Sequence, residues 1–216
     1  MDEYVFRRAN KSDLQFIVET IIEAEKSGTE VLPYSSLFGL SEKEVRELLK
    51  SALEEDVEDC DLSLSGFIVA EYKKKPVAAL NAWIEGLNGH SSVTIKGNLL
   101  GFLLPREALI KANKLNHICS ALSTDYKPGE FWLGPAYVVP EHQGRLLLVR
   151  LFLEQIRLHP EAKGVYCQVF SNNKPSILNF KLMKFETKKV YTSADERIKQ
   201  LLPSNSKHIF YKDLLK

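Results

Sequence analysis

The 216-residue sequence has little of what would mark a disulfide framework, a metal centre, a membrane span or a polyelectrolyte surface. Its three cysteines, Cys60, Cys119 and Cys167, lie far apart, with no CxxC pair and no histidine at metal-ligand spacing. An odd, scattered set does not build a paired scaffold, so a reducing, cytoplasmic protein without a bound metal is expected. Charge of one sign is lacking as well: 29 Lys+Arg against 28 Asp+Glu give a formal net charge of +1. With no net field to attract nucleic acid or an anionic membrane, neither partner is expected, and recognition must come from a local site. Long hydrophobic runs are missing too. The greasiest, Leu146–Leu153, is eight residues long and contains Arg150, far short of the ~20 apolar residues a bilayer demands. The start, MDEYVFRR, does not follow the basic-then-apolar order of a secretory signal.

What is present is enough apolar material, 44% of the chain, for one sizeable core, and a single domain over 1–216 is expected. Glu3–Ala9 reads as a first strand. Ser12 with Gln15 three positions later reads as a capping box, followed by Leu14, Ile17, Val18, Ile21 and Ile22 on one helical face, with Gly28 as the stop. Ser41 and Glu44 repeat the box ahead of Val45, Leu48, Leu49, Ala52 and Leu53, so two helices separate the first strand from the second. The acidic stretch Glu54–Asp61 reads as solvated loop. Gly66–Tyr72 and Pro76–Glu85, joined by Lys73–Lys75, form an antiparallel hairpin. Residues at about 87–130 read as an insert packed on the core, with an apolar run at Leu99–Leu104 and a helix carrying Ala108, Ala112, Leu115, Cys119 and Leu122 on one side. Its His90 and His117 read as a loop and a helix-surface residue. Strands at Val165–Phe170, Glu186–Thr192 and His208–Leu214 and a helix at Pro175–Lys184 complete the pattern. The expected fold class is α/β of the α+β type: a mixed, mostly antiparallel central sheet with helices on both faces.

The most informative segment is Val138–Leu153, VVPEHQGRLLLVRLFL. An apolar strand runs through a short polar turn straight into a long apolar helix. A helix start carries unpaired N–H groups and the positive end of the peptide dipole, so this junction suits an anion such as a pyrophosphate before any side chain is considered.

Two motifs then resemble those of the GCN5-related N-acetyltransferase family. Val138-Val139-Pro140-Glu141-His142-Gln143-Gly144-Arg145 looks like that family's acetyl-CoA pyrophosphate loop, whose pattern is Gln/Arg-x-x-Gly-x-Gly/Ala. Asn173 through Phe185 is similar to its Asn-x-x-Ala…Tyr-x-x-x-Gly-Phe segment, in register. The order of elements from about residue 4 to 214, apart from the insert, resembles the same family. Leu146 and Leu148 depart from the pattern, standing where the family has small residues that let backbone approach the phosphates. Phe180 departs too, replacing a tyrosine that protonates the departing thiolate, so that route of proton donation is closed. Lys184 replaces the glycine that ends the helix.

The resemblance implies an acyl-CoA N-acyltransferase-like fold with acetyl-CoA as donor. Val138 and Val139 would meet the pantetheine arm at a bulge where the fourth strand splays from the fifth. Gln143, Gly144, Arg145 and Leu146 would hold the pyrophosphate, and Asn173 and Phe180 would line the cofactor from the next helix. The acceptor would be a small-molecule or peptidyl primary amine attacking directly in a ternary complex, with Cys167 a packed residue and no acyl-enzyme. For the general base the nearest candidates are Glu130, at the start of the fourth strand, and Glu85, at the end of the hairpin; Tyr137 would present a hydroxyl. His142 reads as a solvent-facing loop residue. Two other readings stand beside the enzyme: a catalytically silent module that binds CoA or another ligand as a sensor or partner domain, and a transferase whose donor is an aminoacyl-tRNA. The chain would act as monomer or homodimer.

Overall fold

The computed structural model describes residues 4 to 215. A seven-stranded sheet runs through it in the order β1-β2-β3-β4-β5-β7-β6, where β1 is Val5–Arg8, β2 Phe67–Tyr72, β3 Lys75–Ile84, β4 Phe131–Val138, β5 Gly164–Phe170, β6 Glu186–Thr192 and β7 Ser206–Asp213. Every neighbouring pair is antiparallel except β4 and β5. One face is covered by α1 (Leu14–Lys26), α3 (Glu42–Glu55) and α4 (Ser92–Leu103), whose apolar stripes meet Phe67, Val69 and Ala79. The other is covered by α6 (Leu147–Leu158) and α7 (Lys174–Leu182), packed on Ile68, Ala70, Leu80, Leu133 and Phe210. Alternate side chains of a strand point to opposite faces, so β2 and β3 feed both cores and read as continuous apolar runs. The expected mixed, mostly antiparallel α/β architecture is what the chain adopts.

Local chemistry explains the boundaries. Ser41 and Glu44 cap α3 reciprocally, and all five apolar positions of its stripe are buried. The box ahead of α1 sits two residues earlier than Ser12 and Gln15 predict. Asn10 accepts from the Ser12 N–H while Asp13 accepts from the Asn10 N–H, on a 3-10 turn at Lys11–Asp13. The cause is tertiary, because Arg7 on β1 grips Asp13 with both guanidinium arms, at 2.7 and 2.9 Å. Glu3, included in the predicted first strand, lies outside the described residues. Between α1 and α3 the chain forms a further short helix, α2 (Pro33–Phe38), so three helices rather than two precede β2. The predicted insert is two helices, α4 and α5 (Arg106–Cys119); the apolar run Leu99–Leu104 spans the end of α4, where Leu99, Leu100 and Leu104 are buried and Phe102 is 80% exposed. At the hairpin tip both Lys73 and Lys74 take left-handed backbone, φ 48° and 63°, as a two-residue turn of matching twist requires. Cys60 and Cys167 are buried free thiols, and burial pushes the Cys167 thiol well above its ordinary value, consistent with a packed apolar residue.

Candidate functional site

The site begins where β4 leaves β5. These two strands pair only at Phe131↔Val165 and Trp132↔Tyr166, after which β4 continues to Val138 and β5 to Phe170 without further pairing. The divergence follows a bulge in β4: Leu80 faces Ala136 and Ala82 faces Leu133, so Asn81 alone opposes Gly134 and Pro135. Proline has no N–H for a ladder, and bulges add bend and twist. Gly134 is required there because a Cβ would sit 2.8 Å from Asn81 Oδ1. The bulge therefore lies at Gly134–Pro135, not at Val138–Val139 as expected. The Val139 N–H donates to the Val77 carbonyl at 3.0 Å, so it belongs to the β3 ladder. By the alternation of an antiparallel pair, the backbone groups of Ala136 and Val138 face the gap instead.

The turn after β4 is fastened to the rest of the sheet by aromatics. His142 is not a solvent-facing loop residue: its Nδ1 lies 2.8 Å from the Tyr4 hydroxyl, and its ring stands edge-on to Tyr72 at 5.1 Å. Gln143 turns its side chain back to donate to the Val138 carbonyl at 3.2 Å. Gly144 and Leu146 are both left-handed, φ 75° and 59°. Leu146 is 69% exposed, and it is Leu147, not Leu146, that turns inward to the core. Among the described residues the amides of Gly144, Leu146, Leu147, Leu148 and Val149 donate to no protein acceptor; the first backbone bond of α6 is Arg150 N–H to Leu146 O, 3.0 Å. Arg145 lies exposed on the turn. Neighbouring N–H groups at the positive end of a twelve-residue helix form an anion cradle, and it adjoins the end of β4 where the strands part.

Comparison with known proteins was made on both sequence and shape. No protein-family model matches the sequence, and no curated protein matches it. Solved structures do match its shape. An N-acetyltransferase from Staphylococcus aureus Mu50 superposes with a TM-score of 0.70 at 13% identity, covering 96% of this chain and 100% of that one. The fold is that of the GCN5-related N-acetyltransferases. A Drosophila melanogaster polyamine N-acetyltransferase that catalyses formation of N-acetylagmatine superposes with a TM-score of 0.57 at 17% identity, covering 98% and 100%. Arabidopsis thaliana NAA60, in complex with acetyl-CoA, does so with a TM-score of 0.51 at 15% identity, covering 99% and 100%.

Within this acetyltransferase fold the remaining sequence candidates fall in different places. Glu130 and Glu85 meet at the far end of β4, about 23 Å of strand away from Val138, joined through the Glu85 N–H and Glu130 carbonyl at 2.8 Å. Glu130 accepts from the Lys127 N–H and from Trp132 Nε1, and Glu85, buried, accepts from Trp83 Nε1 and the Ser92 N–H. Both carboxylates brace tryptophans. Tyr137 faces α1, its ring 6.5 Å from that of Phe16, and burial raises its phenol. Asn173 caps α7 by accepting from the Ser176 N–H and donates to Ser27 Oγ at 3.2 Å, which ties α7 to the end of α1. Phe180 is buried, stacked on Phe210 at 6.0 Å and edge-on to Phe185 at 5.1 Å. A cleft of about 680 Å³ is lined by Trp83, Glu130, His159, Tyr166 and Tyr211. It lies where β4 and β5 are still paired, away from the anion cradle.

On the α1 face of the sheet is a constellation that the sequence reading missed. Glu25 continues the buried stripe of Val18, Ile21 and Ile22 along α1 and feels the charges of Lys96 of α4, Asp61 of the loop before β2, and Lys207 of β7. Lys96 bonds Asp61 at 2.7 Å and lies over the ring of Tyr34 in α2, 5.5 Å from its centroid. Lys207 donates to Thr124 Oγ1 and Gln168 Oε1, and Gln168 in turn donates to the Tyr126 hydroxyl. Burial raises Glu25 and pulls Lys207 down to about 8, yet neither residue is sealed from solvent. The signal was present in the sequence as an acid on an apolar helical stripe.

Proposed function

We propose that the chain is an acetyl-CoA-dependent N-acetyltransferase that delivers the acetyl group to a primary amine, small-molecule or peptidyl, by direct attack in a ternary complex. The observation that carries the reading is the parting of β4 and β5 beside the unpaired amides of α6. A pyrophosphate needs N–H donors that already point at one place, and Gly144 and Leu146–Val149 supply them, with Arg145 on the same turn. A pantetheine arm needs an unpaired strand edge, which the backbone of Ala136 and the Val138 N–H provide, the Val138 carbonyl being held by Gln143. The donor brings an activated thioester; the chain holds it, keeps the acceptor side on the α1 face, and needs no acyl-enzyme, since Cys167 is packed and protonated.

Titration with acetyl-CoA while following the melting temperature tests the binding half. At a hundredfold excess over Kd a ligand that binds only the folded state stabilises by about 2.7 kcal/mol, which for a chain of this length raises Tm by about 5–10 °C. No shift at about 1 mM ligand overturns the proposal. Thiol release across a panel of amines tests the other half. Binding with no release for any amine would make the chain a CoA-binding module instead.

A further inference from the structure

The anion cradle at the start of α6 is bracketed by two residues that sit on the same tyrosine. Two positions before Gly144, the His142 ring places its Nδ1 2.8 Å from the Tyr4 hydroxyl and stands edge-on to the Tyr4 ring at 5.7 Å. At the other end, Arg150 makes the first backbone bond of α6, to the Leu146 carbonyl, and its guanidinium lies over the rings of Tyr4 and Phe6, 5.8 and 4.4 Å from their centroids. Tyr4 is 9% exposed, its ring is 5.3 Å from that of Tyr72, and it belongs to the same buried cluster as Leu147 and Leu151 of α6. It immediately precedes β1, and β2 and β3 separate β1 from β4 in the sheet. One side chain at the sheet edge therefore holds both ends of a turn that leaves from the middle. The turn needs holding, because Gly144 and Leu146 are both left-handed and among the described residues the amides of Gly144, Leu146, Leu147, Leu148 and Val149 donate to no protein acceptor. Their directions are set by whatever fastens the turn, and any freedom they keep before an anion arrives is lost when it binds, at a cost in affinity.

We propose that Tyr4 is the positioning residue of the donor's diphosphate site: acting through His142 and Arg150, it keeps the amides of the turn converged and so sets the affinity for the nucleotide end of acetyl-CoA while touching neither donor nor acceptor. The inference rests on the transferase reading and adds to it a determinant of donor recognition. Its signature is an effect on one part of the donor only. The diphosphate belongs to the nucleotide half of acetyl-CoA, whereas the thioester is carried by the pantetheine arm, which meets the edge of β4. S-acetylpantetheine keeps the arm and lacks the diphosphate, so its use does not depend on Tyr4. Within Tyr4 the two contacts are separable. Tyr4→Phe removes the hydroxyl that meets His142 and keeps the ring beneath Arg150; Tyr4→Leu removes both.

The test is steady-state thiol release by the full chain with one accepted amine, run with acetyl-CoA and with S-acetylpantetheine, beside calorimetric titration with CoA and with pantetheine. Tyr4→Phe should raise KM for acetyl-CoA and Kd for CoA about fivefold, and Tyr4→Leu about tenfold or more. With either variant kcat at saturating donor stays close to that of the unaltered chain, because ground-state binding is what is lost, and kcat/KM for S-acetylpantetheine is unchanged. His142→Leu should match Tyr4→Phe, and the double variant should be no worse than either single change, since both remove the same bond. His142→Asn, which puts a polar atom where the imidazole has Nδ1, should recover part of the loss. An equal loss with both donors would overturn the inference, as would an unchanged KM and Kd for the CoA ligands, or losses that add in the double variant. CoA binding without thiol release removes the transferase reading, and the contrast between CoA and pantetheine in the calorimeter then decides the role of Tyr4 by itself. No CoA binding by the unaltered chain removes both. Melting curves of each variant without ligand separate a folding defect from a lost affinity.

Discussion

Asn172 donates its side-chain amide to the Ser27 carbonyl at 2.9 Å, fastening the loop after β5 to the end of α1 two residues beyond Glu25. Asn173 adds a second bond to the same serine, on Oγ. Ser27 itself is left-handed, φ 50°, so the helix end is held in this geometry from outside. Asn172→Ala should destabilise the chain by about 1 kcal/mol, a fall in Tm of about 2–4 °C. Acetyl-CoA affinity should stay unchanged; thermal melts and isothermal titration on the same preparation measure both.

Two of the positions where this chain departs from the small residues of the resembling family, Leu146 and Lys184, keep the backbone that glycine favours, φ 59° and 63°. At Lys184 the ending of α7 is a Schellman motif, Phe185 N–H to Phe180 O and Lys184 N–H to Lys181 O, both 2.9 Å. A left-handed non-glycine residue costs about 1–2 kcal/mol, and glycine loses about 0.5–1 kcal/mol more chain entropy than alanine on folding. Leu146→Gly and Lys184→Gly should therefore each stabilise by roughly 0.5–1 kcal/mol. Leu146→Gly should leave acetyl-CoA binding at least as tight, because the exposed side chain forms no part of the cradle's amides. Chemical denaturation with a titration of acetyl-CoA checks both statements.

Phe180→Tyr is expected to lower stability by about 1–3 kcal/mol, because its hydroxyl enters a cluster with Phe185 and Phe210 where it finds no ready partner. Denaturant melts read the cost, and the kcat of the folded fraction reads whether a proton donor at this position speeds thiolate departure. An unchanged kcat means that departure is not limiting.

The pH dependence follows from Glu25 and Lys207. Burial raises Glu25, with Lys96 acting against it and Asp61 with it, so its carboxylate appears above the usual carboxylate range. Burial lowers Lys207 to about 8. Stability carries the signature of Lys207. Between about 8 and the ordinary 10.5 the unfolded chain holds the Lys207 proton and the folded chain does not, so stability rises with pH across that window and the gain is lost as pH falls through about 8. A Lys207→Met variant should show a flatter stability curve there.

Much of the scaffold was legible because it depends on near neighbours. The stripe of α3 and its Ser41–Glu44 box, the hairpin at Lys73–Lys74 and the run of β6 at Glu186–Thr192 all follow from spacing within one element. The box before α1 was placed two residues late because its real partner, Arg7, acts from β1. α2 was missed because six residues give too few turns for a period to emerge. In the site, the anion cradle was legible as a strand that turns directly into a helix. The coupled charges on the α1 face were not: Glu25, Asp61, Lys96 and Lys207 come from four separate segments, and no spacing relates them.

By itself the sequence determined the period of each element, the turn at Gln143–Leu146 and the absence of net charge, since these rest on bonds and side chains a few residues apart. Only the tertiary structure decided that β4 and β5 part after Trp132 and that Glu25 and Lys207 are desolvated within reach of each other's charge. The reason is that the state of a charge or a strand edge is set by whatever lies within a few ångströms through space, and chain folding alone chooses those neighbours.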